Sequence, residues 1–240
     1  MKLKLITSLI TGSAALALAA GAPANAEGSL SQELEQLASE GNAEALYHLG
    51  MMYLLGEGVA KDQQTAVKLF RQSAELGDPL AAYKLGCFYD GQYQLLEVDF
   101  DRALEFKLVA AKAGYALAQQ DVAILLYRSG DIPLAMEWLS KAAMQGTAGA
   151  LQAYASVHNG AKGIEKDPVK AAAYFSLYLN TYGGNTEQRK WLENFMQDLD
   201  QPKRDEVASL VSSYHPIPTK LTLQAMSGMG AAEDLVSRSQ

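Results

Sequence analysis

A glycine-rich loop ahead of a lysine is the stretch of this sequence that could most readily bind a phosphate. Gly56 and Gly58 precede Lys61 in "YLLGEGVAKD", residues 53–62. A phosphate-binding loop has the pattern G-x-x-x-x-G-K-[S/T], with a strand before it and a helix after it. Here no Ser or Thr follows Lys61, and a helical apolar pattern precedes the loop. The stretch therefore predicts a turn that joins two helices and not a nucleotide site.

Other arrangements that carry chemistry are also missing from the sequence. The nucleophile motifs G-x-S-x-G and S-x-x-K do not occur. His48, His158 and His215 do not have the spacing of metal ligands. Cys87 is the single cysteine, and a lone thiol is typical of a small buried hydrophobe. We therefore expect no catalytic residues, no cofactor, no metal and no enzymatic activity.

The charge balance argues against an unspecific nucleic-acid binder. The chain has 240 residues, with 27 Asp and Glu against 20 Lys and Arg, which gives a formal net charge of −7. Unspecific binding to nucleic acid depends on neutralising phosphates with Lys and Arg. We therefore expect no nucleic-acid partner.

The amino-terminal segment has the pattern of a cleavable signal peptide. Lys2 and Lys4 are followed by an apolar run to about Ala20 and by the triplet 24–26, Ala-Asn-Ala. We expect a signal peptide over residues 1–26, cleavage after Ala26, and a periplasmic or secreted mature chain without stable membrane insertion. An uncleaved anchor helix is the alternative, but the apolar run is short for one.

The glycine-rich loop recurs because a longer unit is repeated. Leu49-Gly50 falls 36 residues before Leu85-Gly86, and four copies align over residues 42–77, 78–114, 115–146 and 147–184. Each copy has an apolar stripe with a helical period, then a loop, then a second such stripe. The sequence therefore predicts four helix pairs.

Acidic residues and glycines mark the ends of the second helix of each pair. An Asp at the start of a helix can accept hydrogen bonds from the free N–H groups of the first turn. A glycine after the helix can adopt the left-handed conformation that ends it. The predicted positions are Asp62, Asp99, Asp131 and Asp167 at the starts, and Gly77, Gly114, Gly146 and Gly183 at the ends.

The segments that flank the repeats have patterns of their own. Residues 27–41 predict an amino-terminal capping helix, and residues 185–213 predict a carboxyl-terminal pair of capping helices. Stacked repeats need such end units to cover their outermost apolar faces. Residues 214–240 show no sustained period, so we expect a mostly disordered tail, with a helix formed on a partner as the alternative.

The repeated motif resembles that of the Sel-like repeat (SLR) family, a relative of the tetratricopeptide repeat. The shared pattern is A-x-x-x-L-G-x-x-Y, and its residues are Ala45, Leu49, Gly50 and Tyr53, then Ala81, Leu85, Gly86 and Tyr89. The resemblance implies an all-α, right-handed α/α solenoid of the exported bacterial type, which binds a partner and has no catalytic role. Some cysteine-rich members have been described as binding or hydrolysing β-lactams, but this chain lacks their cysteine pairs.

The resemblance also implies a binding groove lined by the first helices of the pairs. We call the set of residues at one equivalent position of successive repeats a ladder. The candidate groove residues are Tyr47, Tyr83, Gln120 and Gln152 on a first ladder, Met51, Cys87 and Ile124 (with Ser156) on a second, and Leu54 and Tyr127 (with Asp90 and Asn159) on a third. Tyr and Met favour interface cores, and Gln can bond to an extended backbone. The alternative is that Tyr47, Tyr83 and Met51 pack between stacked helices.

The resemblance and the sequence together predict a non-enzymatic scaffold in the periplasm or cell envelope. Its partner would be another protein or an extended peptide, bound on the concave face. A structural or regulatory subunit of an envelope machine, such as a flagellar-motor component or a sensor-kinase inhibitor, is the alternative. A peptidoglycan-associated factor is a third hypothesis.

Overall fold

The computed structural model describes residues 24–239, and within that range the chain is all-α, as predicted. It contains thirteen helices and no strand over those residues: α1 Ala24–Ser39, α2 Ala43–Leu55, α3 Gln63–Glu75, α4 Pro79–Tyr89, α5 Phe100–Lys112, α6 Ala116–Ser129, α7 Ile132–Met144, α8 Ala148–His158, α9 Pro168–Tyr182, α10 Thr186–Gln197, α11 Gln201–Ser213, α12 Lys220–Ser227 and α13 Met229–Ser239. Residues 1–23 of the expected signal peptide lie outside the described residues. None of the described helices has the length and hydropathy to span a bilayer.

Helices α2 to α9 form four consecutive pairs, each with a first helix (α2, α4, α6, α8) and a second helix (α3, α5, α7, α9). The predicted caps of the second helices are confirmed, because Asp62, Asp99, Asp131 and Asp167 each accept a hydrogen bond from a first-turn N–H group. Two of these helices carry Pro in the first turn, where the missing N–H costs nothing. The sequence thus sets where each second helix begins.

Glycines let the two helices of the first and second pairs approach each other closely. A Cβ atom at Gly50 would lie 2.7 Å from Cε1 of Phe70, and one at Gly86 would lie 2.6 Å from Cγ of Lys107. Real side chains do not approach this closely, so both positions require Gly. Lys107 occupies the place in the second pair that Phe70 occupies in the first.

Additional helices cover both ends of the stack. Leu34 of α1 packs against Leu49 and Met52 of α2. At the other end, Leu199 and Val207 pack against the apolar side of α9. These contacts bury the faces that the terminal repeats would otherwise expose to water.

The structure differs from the sequence-based expectation at the carboxyl terminus. Residues 214–239, expected to be mostly disordered, form an extended segment followed by α12 and α13. Leu235 and Val236 are buried against Leu34 of α1, so the tail folds because the distant amino-terminal cap supplies its apolar partner. Two short helices split at Gly228 carry too few turns for a recognisable period.

Candidate binding surface

Most of the accessible part of the expected groove lies on the first helices of the third and fourth pairs, α6 and α8. Gln120, Ile124 and Tyr127 lie at i, i+4 and i+7 on α6, and therefore on one face of that helix. Ile124 is 37% exposed, while Gln120 and Tyr127 are half-buried. Gln152 of α8 is half-buried as well. We call these four residues, together with half-buried Met51 of α2, the first-helix surface.

The other four expected groove residues are packed in the interior. Tyr47, Leu54, Tyr83 and Cys87 belong to one hydrophobic core cluster, and none of them is more than 8% exposed. Their burial contradicts the expectation that they contact a partner directly. Tyr47 and Tyr83 instead follow the alternative interpretation, that of packing between stacked helices.

Aromatic neighbours and a long loop account for this burial. The ring of Tyr83 meets that of Tyr115 edge-on, with 4.9 Å between centroids, and Tyr47 lies 6.0 Å from Phe70. The loop of residues 90–99, between α4 and α5, also packs Tyr93 and two leucines against the same core cluster. Most groove positions are therefore buried in the first and second repeats, whereas the equivalent positions in the third and fourth repeats are exposed or half-buried.

Two residues of the first-helix surface also join neighbouring repeats. The hydroxyl of Tyr127 donates to the carbonyl oxygen of Lys162 at 2.8 Å, which ties α6 to the loop of the fourth repeat. The amide of Gln120 lies over α8, where a Cβ at Gly149 would be 2.6 Å from Gln120 Oε1. That oxygen is buried without a hydrogen-bond partner among the described residues. Both side chains are therefore held in place before any ligand binds.

A buried charged cluster lies beside this surface and was not predicted. The ammonium group of Lys107 donates to Oδ2 of Asp121 at 2.6 Å and also to Oδ2 of Asp90. The hydroxyl of Tyr83 donates to the same Asp121 oxygen at 3.2 Å. The Lys107 side chain is 2% exposed, whereas the two carboxylates keep a partial contact with water. We refer to Asp90, Lys107 and Asp121 as the charged cluster.

The lysine of the charged cluster stays protonated although it is buried. Burial alone would lower the pKa of Lys107, but the Asp121 carboxylate and the hydrogen bonds to both aspartates outweigh burial and raise this pKa above its usual value. One ammonium group against two carboxylates leaves a formal charge of −1. Burial also raises the pKa of the nearby Cys87 thiol to about 12, so this thiol is protonated and not a reactive thiolate.

The geometry of a metal site is present here, but an ammonium group fills it. Cys87 Sγ and carboxylate oxygens of Asp90 and Asp121 lie within 4.8 Å of one another. Lys107 Nζ is hydrogen-bonded to both carboxylates from within this group. The chain itself therefore supplies a positive charge to the two aspartates.

One signal in the sequence could have revealed the charged cluster. Lys107 aligns with Phe70, Leu139 and Phe175, which are apolar residues of the other second helices. A charged residue at an apolar position of a repeat indicates that partners for it lie nearby. Those partners are Asp90, at the end of α4 in the same repeat, and Asp121, on α6 of the next repeat. The spacing within one repeat could therefore not name them.

Comparison with a family model supports the division into repeats. The model described as Sel1 repeat matches residues 43–78, 79–115, 116–147 and 149–177, which covers more than half of the chain. Repeats of this kind typically mediate protein–protein interaction and generally serve as non-catalytic scaffolds.

Solved structures with similar folds include two that align over most of this chain. A protective antigen from uropathogenic Escherichia coli, described as displaying an SLR fold, has a TM-score of 0.66 and 24% identity; the match covers 85% of this chain and 48% of the antigen. A Sel1 repeat protein from Oxalobacter formigenes has a TM-score of 0.61 and 22% identity, covering 79% and 80% of the two chains. This chain thus spans about half of the antigen's length. No curated protein matches the chain.

Proposed function

Because the chain belongs to the Sel1 repeat family, we propose that it is a non-enzymatic scaffold that binds another protein or an extended peptide through its first-helix surface. The observation that supports this site is the single face formed by Gln120, Ile124 and Tyr127 on α6, which keeps an apolar group accessible between two polar ones. Binding sites of proteins commonly combine an apolar anchor with flanking hydrogen-bonding groups.

The proposed location is the periplasm or cell envelope. It rests on the charged, apolar and A-x-A segments of residues 1–26. Intact-mass measurement of the protein recovered from an envelope fraction should show a chain that begins at Glu27. A mass that still contains residues 1–26 would contradict export with cleavage.

Site-specific cross-linking can test the binding surface, since the chain offers a matched control. Ile124 on α6 and Leu134 on α7 are both apolar and both 37% exposed, but Leu134 lies on a second helix. A cysteine replaces each in turn, as Ile124→Cys and Leu134→Cys, and carries a photo-reactive group. Native Cys87 is buried with a raised pKa and should stay unlabelled.

We expect the Ile124→Cys protein to cross-link a specific partner in envelope extracts, and the Leu134→Cys protein to give little or none of that product. Ile124→Asp should then reduce recovery of the same partner at least about tenfold, as loss of an interface anchor does, while Leu134→Asp should not. Equal cross-linking from both positions would place the partner elsewhere.

A further inference from the structure

The carboxyl-terminal tail, residues 214–239, is held by the stack of repeats in the way that a bound peptide is held. The amide N–H of Ile217 donates to the carbonyl oxygen of Met144 at 3.0 Å. The Tyr214 hydroxyl donates to the carbonyl oxygen of Ala143 at 2.6 Å. Main-chain bonding of this kind is how many proteins recognise an extended peptide.

Two glycines at the ends of second helices give the tail its room. Gly146 has φ of +80° and Gly114 has φ of +98°, a backbone conformation that favours glycine. A Cβ at Gly146 would lie 2.6 Å from Cβ of Pro216, and one at Gly114 would lie 2.9 Å from Cγ2 of Thr219. The same glycines that end α5 and α7 therefore leave the space that the tail fills.

Gln145 recognises the tail by its polar groups. Its Oε1 accepts a hydrogen bond from the Thr222 hydroxyl at 2.6 Å and another from the Thr219 N–H at 3.1 Å. Its Nε2 donates to the carbonyl oxygen of Gly114 at 2.7 Å and to Oε1 of Gln119 at 2.9 Å. The amide of Gln145 is thus fixed from behind and presents its oxygen to the tail.

Thr222 supplies a helix cap that the repeat itself lacks. The N-cap residue of α6 is Tyr115, whose side chain makes no capping hydrogen bond. The free N–H of Ala116 donates instead to the hydroxyl of Thr222 at 3.0 Å. By contrast, Asn42 and Asp78 cap α2 and α4 from within their own repeats. Thr222 is 1% exposed, and its hydroxyl accepts from Ala116 while it donates to Gln145 Oε1.

From these contacts we propose that the edge formed by Gly114, Gln145, Gly146 and the amino terminus of α6 is a second peptide-binding site, separate from the first-helix surface. Its ligand is a segment of the form Pro-X-Pro-Thr-X-X-Thr, which is irregular up to the second Pro and begins a helix after the first Thr. The chain's own residues 216–222 occupy the site, and a partner segment of the same pattern binds there when the tail is released.

A labelled peptide of residues 214–239 can test the proposal on the full-length chain. The attached tail competes at the high effective concentration of a tethered ligand, so the wild-type protein should bind the peptide weakly. Thr222→Val in the protein removes the hydroxyl while keeping the side-chain shape, and it should weaken only the attached tail. We expect this variant to bind the wild-type peptide at least about tenfold more tightly than the wild-type protein does.

Two variant peptides test whether the labelled peptide binds at the edge. Thr222→Val in the peptide should lower its affinity for the Thr222→Val protein at least about tenfold, since the cap of α6 and the bond to Gln145 are both lost. Met226→Ala serves as the control, because Met226 is 70% exposed on the same helix, and it should leave the affinity unchanged. Equal affinities for all three peptides, or no gain in the Thr222→Val protein, would overturn the proposal.

A cleaved form of the chain decides the matter if the Thr222→Val protein does not fold. A protease site inserted between Ser213 and Tyr214 allows the folded full-length protein to be cut, with the tail still in place. The tail should then exchange with added labelled peptide, and a tail that never exchanges would overturn the proposal. The peptide titration tests the edge, and the cross-linking tests the first-helix surface. Either proposed site can therefore be wrong while the other is right.

Discussion

Lys107 is a charged residue at a position where the aligned repeats have Phe70, Leu139 and Phe175. A buried ion pair recovers in Coulombic energy and hydrogen bonds about what its groups lose in hydration, so it adds little net stability. Removing one partner is different, because the charge that remains stays buried without compensation. The charged cluster should therefore tolerate changes poorly even though it contributes little when intact.

A comparison of two amide substitutions can measure this effect. Asp121→Asn removes a carboxylate that lies 2.6 Å from the buried Nζ of Lys107. Glu137→Gln removes one that lies at the same distance from Lys141, in a pair exposed to solvent. In urea denaturation, Asp121→Asn should lower the free energy of unfolding by about 1–3 kcal/mol, reduced from the fully buried case because Asp121 keeps some contact with water. Glu137→Gln should change it by less than about 0.5 kcal/mol. Equal effects would mean that burial of Lys107 is unimportant.

At the level of elements, each second helix depends on a cap that the sequence encodes locally. The carboxylate of Asp167 accepts from the Lys170 N–H at 2.9 Å, at the start of α9. Such contacts span three residues, which explains why spacing alone predicted four helix starts. The tail could not be predicted in this way, because Thr222 and Ala116 are 106 residues apart.

Burial of the expected groove residues escaped prediction for a similar reason. Whether Tyr83 is open or closed depends on Tyr115 of the next repeat and on the fold of loop 90–99. The spacing of apolar residues within α4 predicts neither of these contacts. Of the other candidate residues, Ile124 is exposed and Met51, Gln120, Tyr127 and Gln152 are half-buried, so their role in binding stays a prediction.

Loss of the Asp167 cap should have a moderate and specific cost. Asp167→Ala should lower the free energy of unfolding by about 0.5–2 kcal/mol, the usual effect of removing an N-cap. Glu165→Ala, two residues earlier in an exposed part of the loop, should have no measurable effect. A stability change for Asp167→Ala within error of the wild type would show that the pair with Lys170 and the cap do not hold α9.

At the level of the whole molecule, Glu44 connects the first repeat to the tail. Its carboxylate accepts from the Gln224 side chain at 2.7 Å and lies 3.5 Å from the Arg238 guanidinium. His48, 3.8 Å away, and then Arg238 and Gln224 hold the pKa of Glu44 below its ordinary value of 4.5, against the opposing effect of burial. Folding therefore stabilises the charged form of Glu44 relative to its protonated form.

This lowered pKa predicts how the contribution of Glu44 to stability depends on pH. A carboxyl whose pKa is depressed by folding stabilises the fold above its unfolded pKa, and the contribution is lost as pH falls through the folded value. Glu44→Gln should therefore lower the free energy of unfolding at about pH 7, and the difference from wild type should shrink as pH falls below 4.5. Glu75→Gln, at an exposed site on α3, should show no such trend. A Glu44→Gln difference that is independent of pH would contradict the assigned role of the carboxylate.

The contact between Gln224 and Glu44 joins residues 180 positions apart in the chain, and this separation bears on the order of folding. Contacts within and between adjacent repeats are local, so they can form early and quickly. The contacts of the tail with the first repeat can form only after every intervening residue has been synthesised. We therefore expect docking of the tail to come late in folding. A chain that lacks α13 would expose the side of α1 that Leu235 and Val236 cover.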